Sequence, residues 1–389
     1  MTDAAAFRLQ LIVFALVASS FTNIYITQPV LPVLQQEFGA DIVLVSFSVS
    51  AVILGITFSN LPFGLLADRF PIQPIIIVGG VMVALGGLVC ALTHDLQVLI
   101  GARFVQGLFI PALTTCLAAY LARTLPLHRL NVVMGAYVSA TVLGGLGGRL
   151  LGGWIHPPLH WRYAFITAAV LMLVASLAAL RWLPRRALVT ARQHMPVSFM
   201  ALISRWLYLR IYLCAASGFF IFSSVFNYLP FRLSAAPFNF STELITLVYL
   251  VYVSGIFIGP TAGRLSNRFG NGVTLLFASV FLAVALALLL LPVTLAVVVG
   301  LLLLCASFFA IHAAAVGALN RSLSHGHGRA NALYVLFYYL GGWLGITLAG
   351  MVFKHAGWPA LISLCACILL VPLTVGVLEW RGGRSVSAG

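Results

Sequence analysis

The stretch GLLADRFPIQPIII, residues 64–77, returns as GRLSNRFGNGVTLL at residues 263–276. Gly64 falls on Gly263, Leu66 on Leu265, and the pair Arg69-Phe70 on Arg268-Phe269, a shift of 199 positions. A second stretch keeps almost the same shift: Gly144, Gly145, Gly148 and Gly153 fall on Gly341, Gly342, Gly345 and Gly350, and Trp161 on Trp358, each pair 197 apart. Self-similarity at so long a period reads as two copies of one structural unit. The longest polar interruption, LPRRALVTARQHMPVSFMALISRW at 183–206, lies midway between them. The sequence therefore divides into an N-terminal bundle at 1–183, a linker at 184–206 and a C-terminal bundle at 207–389.

The medium in which these copies fold follows from composition. Of 389 residues, 62% are hydrophobic and only 7% charged, and the mean hydropathy is +1.10, so the chain is expected in a lipid bilayer. Apolar runs of about 20 residues, enough to span one, occur near 9–33, 43–66, 74–93, 97–121, 130–155 and 162–183. They resume at 207–231, 241–263, 272–291, 295–318, 329–352 and 358–379. That predicts an all-α membrane protein of about twelve spans in two six-helix bundles.

The net charge of +14 marks topology and not a nucleic-acid partner. With a cytoplasmic N-terminus, sixteen arginines fall on the inner side, while only Arg162, Arg232 and Lys354 fall outside. The excess predicts both termini in the cytoplasm. The two remaining basic residues, Arg103 and Arg149, lie inside spans. All six cysteines fall in predicted spans without the spacing of a metal or disulfide framework, and read as small core residues. The first apolar run continues too far for a signal peptide and is expected to be the first span.

Three motifs carry a resemblance to the major facilitator superfamily over essentially the whole chain. In the loop between spans 2 and 3, Gly64, Leu66, Ala67, Asp68 and Arg69 match the start of that family's loop signature, after which Pro71, Ile72 and Gln73 depart from it. The resemblance implies a gating role for Gly64, Asp68 and Arg69 and for their repeat partners Gly263 and Arg268, whereas Asn267 stands where Asp68 would recur. In span 4, Arg103, Gln106 and Gly107 match a pattern whose membrane arginine is implicated in proton transfer. Asn23, Tyr25 and Gln28 of span 1 are candidate partners for that guanidinium, although an arginine so near a span's outer end can also snorkel to the interface. In span 5, Gly135, Gly144, Gly148, Gly152 and Gly153 have the spacing that marks antiporters in the family, with Arg149 where proline is usual. Small residues there let helices approach closely.

Within the superfamily, the phrases YITQPVLPVLQQEFG, GRLLGG, FNYLPFRL and LYVLFYYLGG resemble the YnfM-like acriflavine-sensitivity group of drug:proton antiporters. The resemblance implies proton-coupled export of small molecules across a bacterial inner membrane by alternating access. The sequence leaves a rival open, uptake or facilitated transport of a small sugar or organic anion. The seven acids, Asp3, Glu37, Asp41, Asp68, Asp95, Glu243 and Glu379, all map to loops or helix ends, which leaves His312 as the titratable group of the spans. Arg149 is expected to face a cavity at about the depth of Arg103. Other candidate cavity residues are Asn227 and Tyr228 before Pro230, and the aromatic set Tyr334, Tyr338, Tyr339 and Trp343, which holds two i,i+4 pairs. His325 and His327 read as an inner loop and not as a metal site. A phosphate-binding G-x-x-x-x-G-K-[ST] loop is missing, which argues against ATP hydrolysis. No cofactor, metal, enzyme activity or nucleic-acid partner is expected; protons, a small-molecule substrate and lipid are, with the chain acting as a monomer.

Overall fold

In hydrocarbon each backbone N–H and C=O must find its partner within the protein, so long apolar runs fold as helices. The computed structural model describes residues 3–125, 127–183, 198–323 and 326–387, with backbone alone at 3–6, 68, 123–124, 127–129, 131 and 382–387. The described residues contain no strand. The helices are α1 (Asp3–Tyr25), α2 (Leu31–Phe38), α3 (Ile42–Arg69), α4 (Ile72–Leu92), α5 (Leu96–Leu113), α6 (Thr115–Thr124), α7 (Leu127–Ile155) and α8 (Trp161–Trp182). They continue with α9 (Phe199–Ile203), α10 (Trp206–Ser234), α11 (Thr242–Val248), α12 (Ser254–Phe269), α13 (Asn271–Leu290), α14 (Thr294–Ser322) and α15 (His327–Ser387).

Among the described residues, ten helical stretches are long and apolar enough to cross a membrane. Helix α7, with 29 residues, has the length of a further span, and α15 divides in two at Gly357, whose φ of 73° is non-helical. Together these make twelve spans. Three spans are interrupted where the sequence predicts continuous helix. The first breaks between α1 and α2, because the carbonyl of Tyr25 would bond Pro29 and that of Gln28 would bond Pro32, neither of which has an N–H. The fourth breaks at Thr114, three residues after Pro111. The eighth passes through a 3-10 turn at Tyr249–Val253 between α11 and α12.

The chain divides into two compact units, Met1–Gln193 with Phe240–Tyr249, and His194–Asn239 with Leu250–Gly389. The first unit thus includes a short segment from the second half of the sequence. Residues 184–197 of the expected linker, and His325, lie outside the described residues. The six cysteines are free thiols, five of them buried.

Within the first unit, α7 lies against α1 with its glycine face. A Cβ on Gly144 would meet the backbone of Ala18, one on Gly148 that of Thr22, and one on Gly152 that of Ile26. Gly135 meets nothing within 4 Å and takes no part in this contact. The second unit repeats it: a Cβ on Gly341 would meet the backbone of Ala216, and one on Gly345 that of Phe220.

Candidate functional site

Helix termini leave their last four carbonyls without intrahelical donors, and α1 terminates inside an apolar span, where water cannot supply them. Arg103 of α5 does. Its Nη1 donates to the carbonyl of Asn23 at 2.6 Å and its Nη2 to that of Ile24 at 2.6 Å. The Nε donates to the carbonyl of Ser48 in α3 at 2.8 Å, and Nη1 also reaches Gln106 Oε1 at 2.7 Å. Gln106 in turn donates to Val83 of α4 at 2.8 Å and to Asn23 Oδ1 at 3.3 Å. Arg103 and Gln106 are both fully buried. The guanidinium is a cap on α1 that ties α1, α3 and α5 together, with α4 joined through Gln106, and not a side chain snorkelling to the interface.

The sequence assigns Tyr25 and Gln28 to Arg103, but both serve Arg149 instead. Arg149, 1% exposed, donates from Nε to Gln28 Oε1 at 2.7 Å and from Nη1 to the carbonyl of Gly145 at 2.7 Å. Its guanidinium lies 4.0 Å from the centre of the Tyr25 ring and 5.3 Å from that of Tyr249. Cation–π contact of this kind is worth up to about 2 kcal/mol when desolvated. The break in α1 explains the exchange. Arg103 takes the carbonyls before the break, and the residues at and after it turn to α7. Tyr249 had no signal in the sequence; it reaches Arg149 because α11 packs on the end of α7, where a Cβ on Gly153 would meet Thr246.

The second unit holds a different cluster. Tyr338 stacks on Phe219 with centroids 4.1 Å apart, and Phe222 on Phe308 at 4.0 Å. Tyr339 stands edge-on to Tyr338 at 5.2 Å. His312 joins the same group, with Nδ1 3.0 Å from Tyr334 Oη and its ring 5.3 Å from Tyr338. Tyr228 donates to the carbonyl of Ile346 at 2.8 Å. Asn227 is fully buried, and neither of its amide atoms has a hydrogen-bond partner among the described residues. Trp343, further along α15, is half-buried.

Of the gating candidates, the side chain of Asp68 lies outside the described residues, while Arg69 is exposed at the end of α3. Gly64 faces Thr115 of α6 at 4.0 Å and Gly263 meets nothing within 4 Å. Arg268 lies over the ring of Phe269 at 5.1 Å. At the corresponding end of the second unit, Arg321 donates to Asn267 at 3.1 Å and to Asn271.

Residues 13–346 match the family model described as Major Facilitator Superfamily. The chain is 28% identical to Inner membrane transport protein YnfM of Escherichia coli (strain K12) over 382 residues, covering 95% of this chain and 89% of that protein. It is 25% identical to a Chloramphenicol resistance protein of Pseudomonas aeruginosa over 392 residues, covering 96% and 90% of the two. Among solved structures, a bacterial homologue of the human lysosomal transporter Spinster, inward-facing and occupied, superposes with a TM-score of 0.79 at 13% identity, covering 99% of this chain and 98% of that one.

Proposed function

The chain belongs to the Major Facilitator Superfamily, and from that premise we propose that it is a secondary active transporter exporting small molecules in exchange for protons. It works as a monomer at a bacterial inner membrane, by alternating access, with both termini in the cytoplasm. The observation that carries this reading is the glycine face of α7, where Gly144, Gly148 and Gly152 bring α7 onto the backbone of α1 in the spacing that marks antiporters of the family. The relative named for chloramphenicol resistance supports small-molecule export. In this reading Arg149, Tyr25, Gln28 and the α14–α15 aromatic group contribute to the substrate cavity, and His312 is the group able to exchange a proton.

The test is transport in everted vesicles, with a panel of dyes, chloramphenicol, sugars and organic acids. Accumulation that disappears when nigericin collapses the pH gradient supports antiport, and accumulation indifferent to the gradient overturns it. The gate is tested by Asp68→Asn, which should slow transport while leaving the yield of folded protein near normal, because it removes a charge that biases one of two packings. Transport at the native rate would make Asp68 an ordinary loop acid.

A second reading, movement of a small sugar or organic anion, is favoured by one observation. Arg103 and Arg149 are both buried, while the carboxylates of Glu37 and Glu379 are paired with other arginines, Arg162 and Arg210. Saturable uptake of an anion from the panel, unaffected by nigericin, would establish it.

A further inference from the structure

Four helix ends meet at one end of the second unit. Arg321, in the last turn of α14, donates from Nη1 to Asn267 Oδ1 of α12 at 3.1 Å and from Nη2 to Oδ1 of Asn271, the first residue of α13. Ser266 donates to the same Asn271 oxygen at 2.5 Å. Arg268 lies over the ring of Phe269 at 5.1 Å, and Arg264 stands one helical turn before Arg268. A Cβ on Gly272 would meet the backbone of Trp380, which brings in the end of α15 and, one residue on, Arg381. Arg264, Arg268, Arg321 and Arg381 are all exposed. So are Leu265, Phe269 and Trp380. This is also where membrane spans end, at Phe269 and Ser322, and where another starts, at Asn271.

Topology accounts for arginines at such an end, but not for the way their charge is left. The residues of the second unit, 194–239 and 250–389, include a single acidic side chain, Glu379, and Arg210 takes it at 2.6 Å. Asn267 and Asn271 hold the Arg321 fork in place, yet a carboxamide is neutral and cancels none of its charge. The sequence of the first unit's copy differs. At the shift of 199, Asp68 stands for Asn267, Leu65 for Arg264 and Ile72 for Asn271. Over residues 64–69 the charges of Asp68 and Arg69 sum to zero, whereas over 263–268 Arg264 and Arg268 give +2. Planar guanidinium forks match phosphate oxygens. Leu265 and Phe269 form an apolar i,i+4 row beside the Arg264–Arg268 row, and tryptophan favours the depth of lipid headgroups. Oriented positive charge at the end of a span, bordered by exposed apolar side chains, complements a phosphate head carried on acyl chains.

We propose that this end of the second unit is a binding site for an anionic phospholipid. Its phosphate meets the guanidinium groups of Arg264, Arg268 and Arg321, and its chains lie against Leu265 and Phe269. The lipid supplies the anion that the sequence of the first unit's loop carries as Asp68. The site lies at a membrane interface whichever way the chain is oriented, and it stands whatever the protein carries.

The test needs no substrate. Full-length protein is titrated with phosphatidylglycerol or with phosphatidylcholine, and native mass spectrometry reads the affinity of the first lipid bound. Phosphatidylglycerol should bind about fivefold or more tightly than phosphatidylcholine. Arg264→Gln, Arg268→Gln and Arg321→Gln combined in one chain should erase that preference. Arg8→Gln, Arg69→Gln and Arg181→Gln combined, which remove three exposed arginines of the first unit, should leave most of it. Asn267→Asp, which writes the first unit's acid beside Arg321, should cut the preference severalfold while every arginine stays. Arg264, Asn267, Arg268 and Arg321 are all exposed, so none of these changes at the site opens a cavity in the core. Equal affinity for the two lipids in the parent protein overturns the proposal. So does an equal loss in the first-unit variant, which would make the preference a diffuse field, or an unchanged preference in Asn267→Asp. Displacement of the lipid by inorganic phosphate, beyond that by sodium chloride at equal ionic strength, would assign the site to a soluble anion and overturn it too.

Discussion

In the first unit Gly144 and Gly148 rest on the backbone of Ala18 and Thr22; in the second, Gly341 and Gly345 rest on that of Ala216 and Phe220. The glycines stand 197 positions apart and their partners 198, so the same contact has been built twice. What the contact carries differs. On the glycine register Arg149 corresponds to Ile346, and on the partner register Tyr25 corresponds to Ser223 and Gln28 to Phe226. Where one unit has a buried cation held by a tyrosine ring and an amide, the other has an isoleucine, a serine that donates to the carbonyl of Gly342, and a phenylalanine. Glycine positions are fixed by backbone contact, which admits no side chain. The positions between them are free to diverge, and that is where the two units acquired separate chemistry.

The strongest blow to this comparison would fall on a residue the second unit does not copy. Arg103→Ala should leave the carbonyls of Asn23, Ile24 and Ser48 and the amide of Gln106 short of a partner. Each neutral acceptor left unmet in the interior costs about 1–3 kcal/mol, and the expected result is a large drop in thermal midpoint or in the yield of monodisperse protein. Retained stability would mean that the break in α1 does not depend on Arg103.

The shared skeleton is tested next by Gly148→Val and Gly345→Val. Each should destabilise by roughly 1–3 kcal/mol, the usual cost of forced overpacking, with similar shifts in chemical or thermal unfolding. If only one half suffers, the two contacts are not equivalent.

Arg149→Ile writes the second unit's residue into the first. The change leaves the buried Gln28 amide without its donor, at about 1–3 kcal/mol, so the protein should fold with reduced stability while transport falls at least about tenfold, a loss of about 1.4 kcal/mol. Arg149→Lys should fail nearly as badly, because an ammonium lacks the planar fork that joins Gln28 and Gly145 while lying on Tyr25. Transport surviving both changes with unaltered apparent affinity removes Arg149 from the mechanism.

The smallest expected effect concerns the paired tryptophans. The indole of Trp161 donates to Glu37 and that of Trp358 to the carbonyl of Leu289. Phenylalanine at 161 should cost about 1.5–3 kcal/mol, since the lost acceptor is charged, and at 358 about 1 kcal/mol. Equal losses on unfolding would show that the carboxylate at 37 adds nothing.

The sequence shows the spans, their duplication and the glycine register, because each is a one-dimensional pattern of apolar length, spacing or small residues. It is silent on which arginine meets which partner. Tyr25, Gln28 and Asn23 are visible as polar residues of one span, but they divide between Arg103 and Arg149 only because α1 stops at Tyr25. Pro29 and Pro32 signal that stop, and a chain read as an uninterrupted span at 9–33 passes over them. Tyr249 is invisible for another reason: it lies about 100 positions from Arg149, and only the packing of α11 in the first unit joins them. The aromatic group is half legible. The spacing of Tyr334, Tyr338, Tyr339 and Trp343 gives their helix, but the rings of Phe219 and Phe308 come from elsewhere.

The cap that Arg103 places on α1 also bears on how the chain is made. The carbonyls of Asn23 and Ile24 precede their donor by 80 and 79 residues. At a synthesis rate of about 5–20 residues per second, the first span waits roughly 4–16 seconds for the guanidinium that completes it. Until then its broken end has unmet acceptors, a poor state for bare lipid. The end of the first span is therefore completed only once the fourth has been made, and α1, α3, α4 and α5, joined through Arg103 and Gln106, gain these hydrogen bonds together and not one helix at a time.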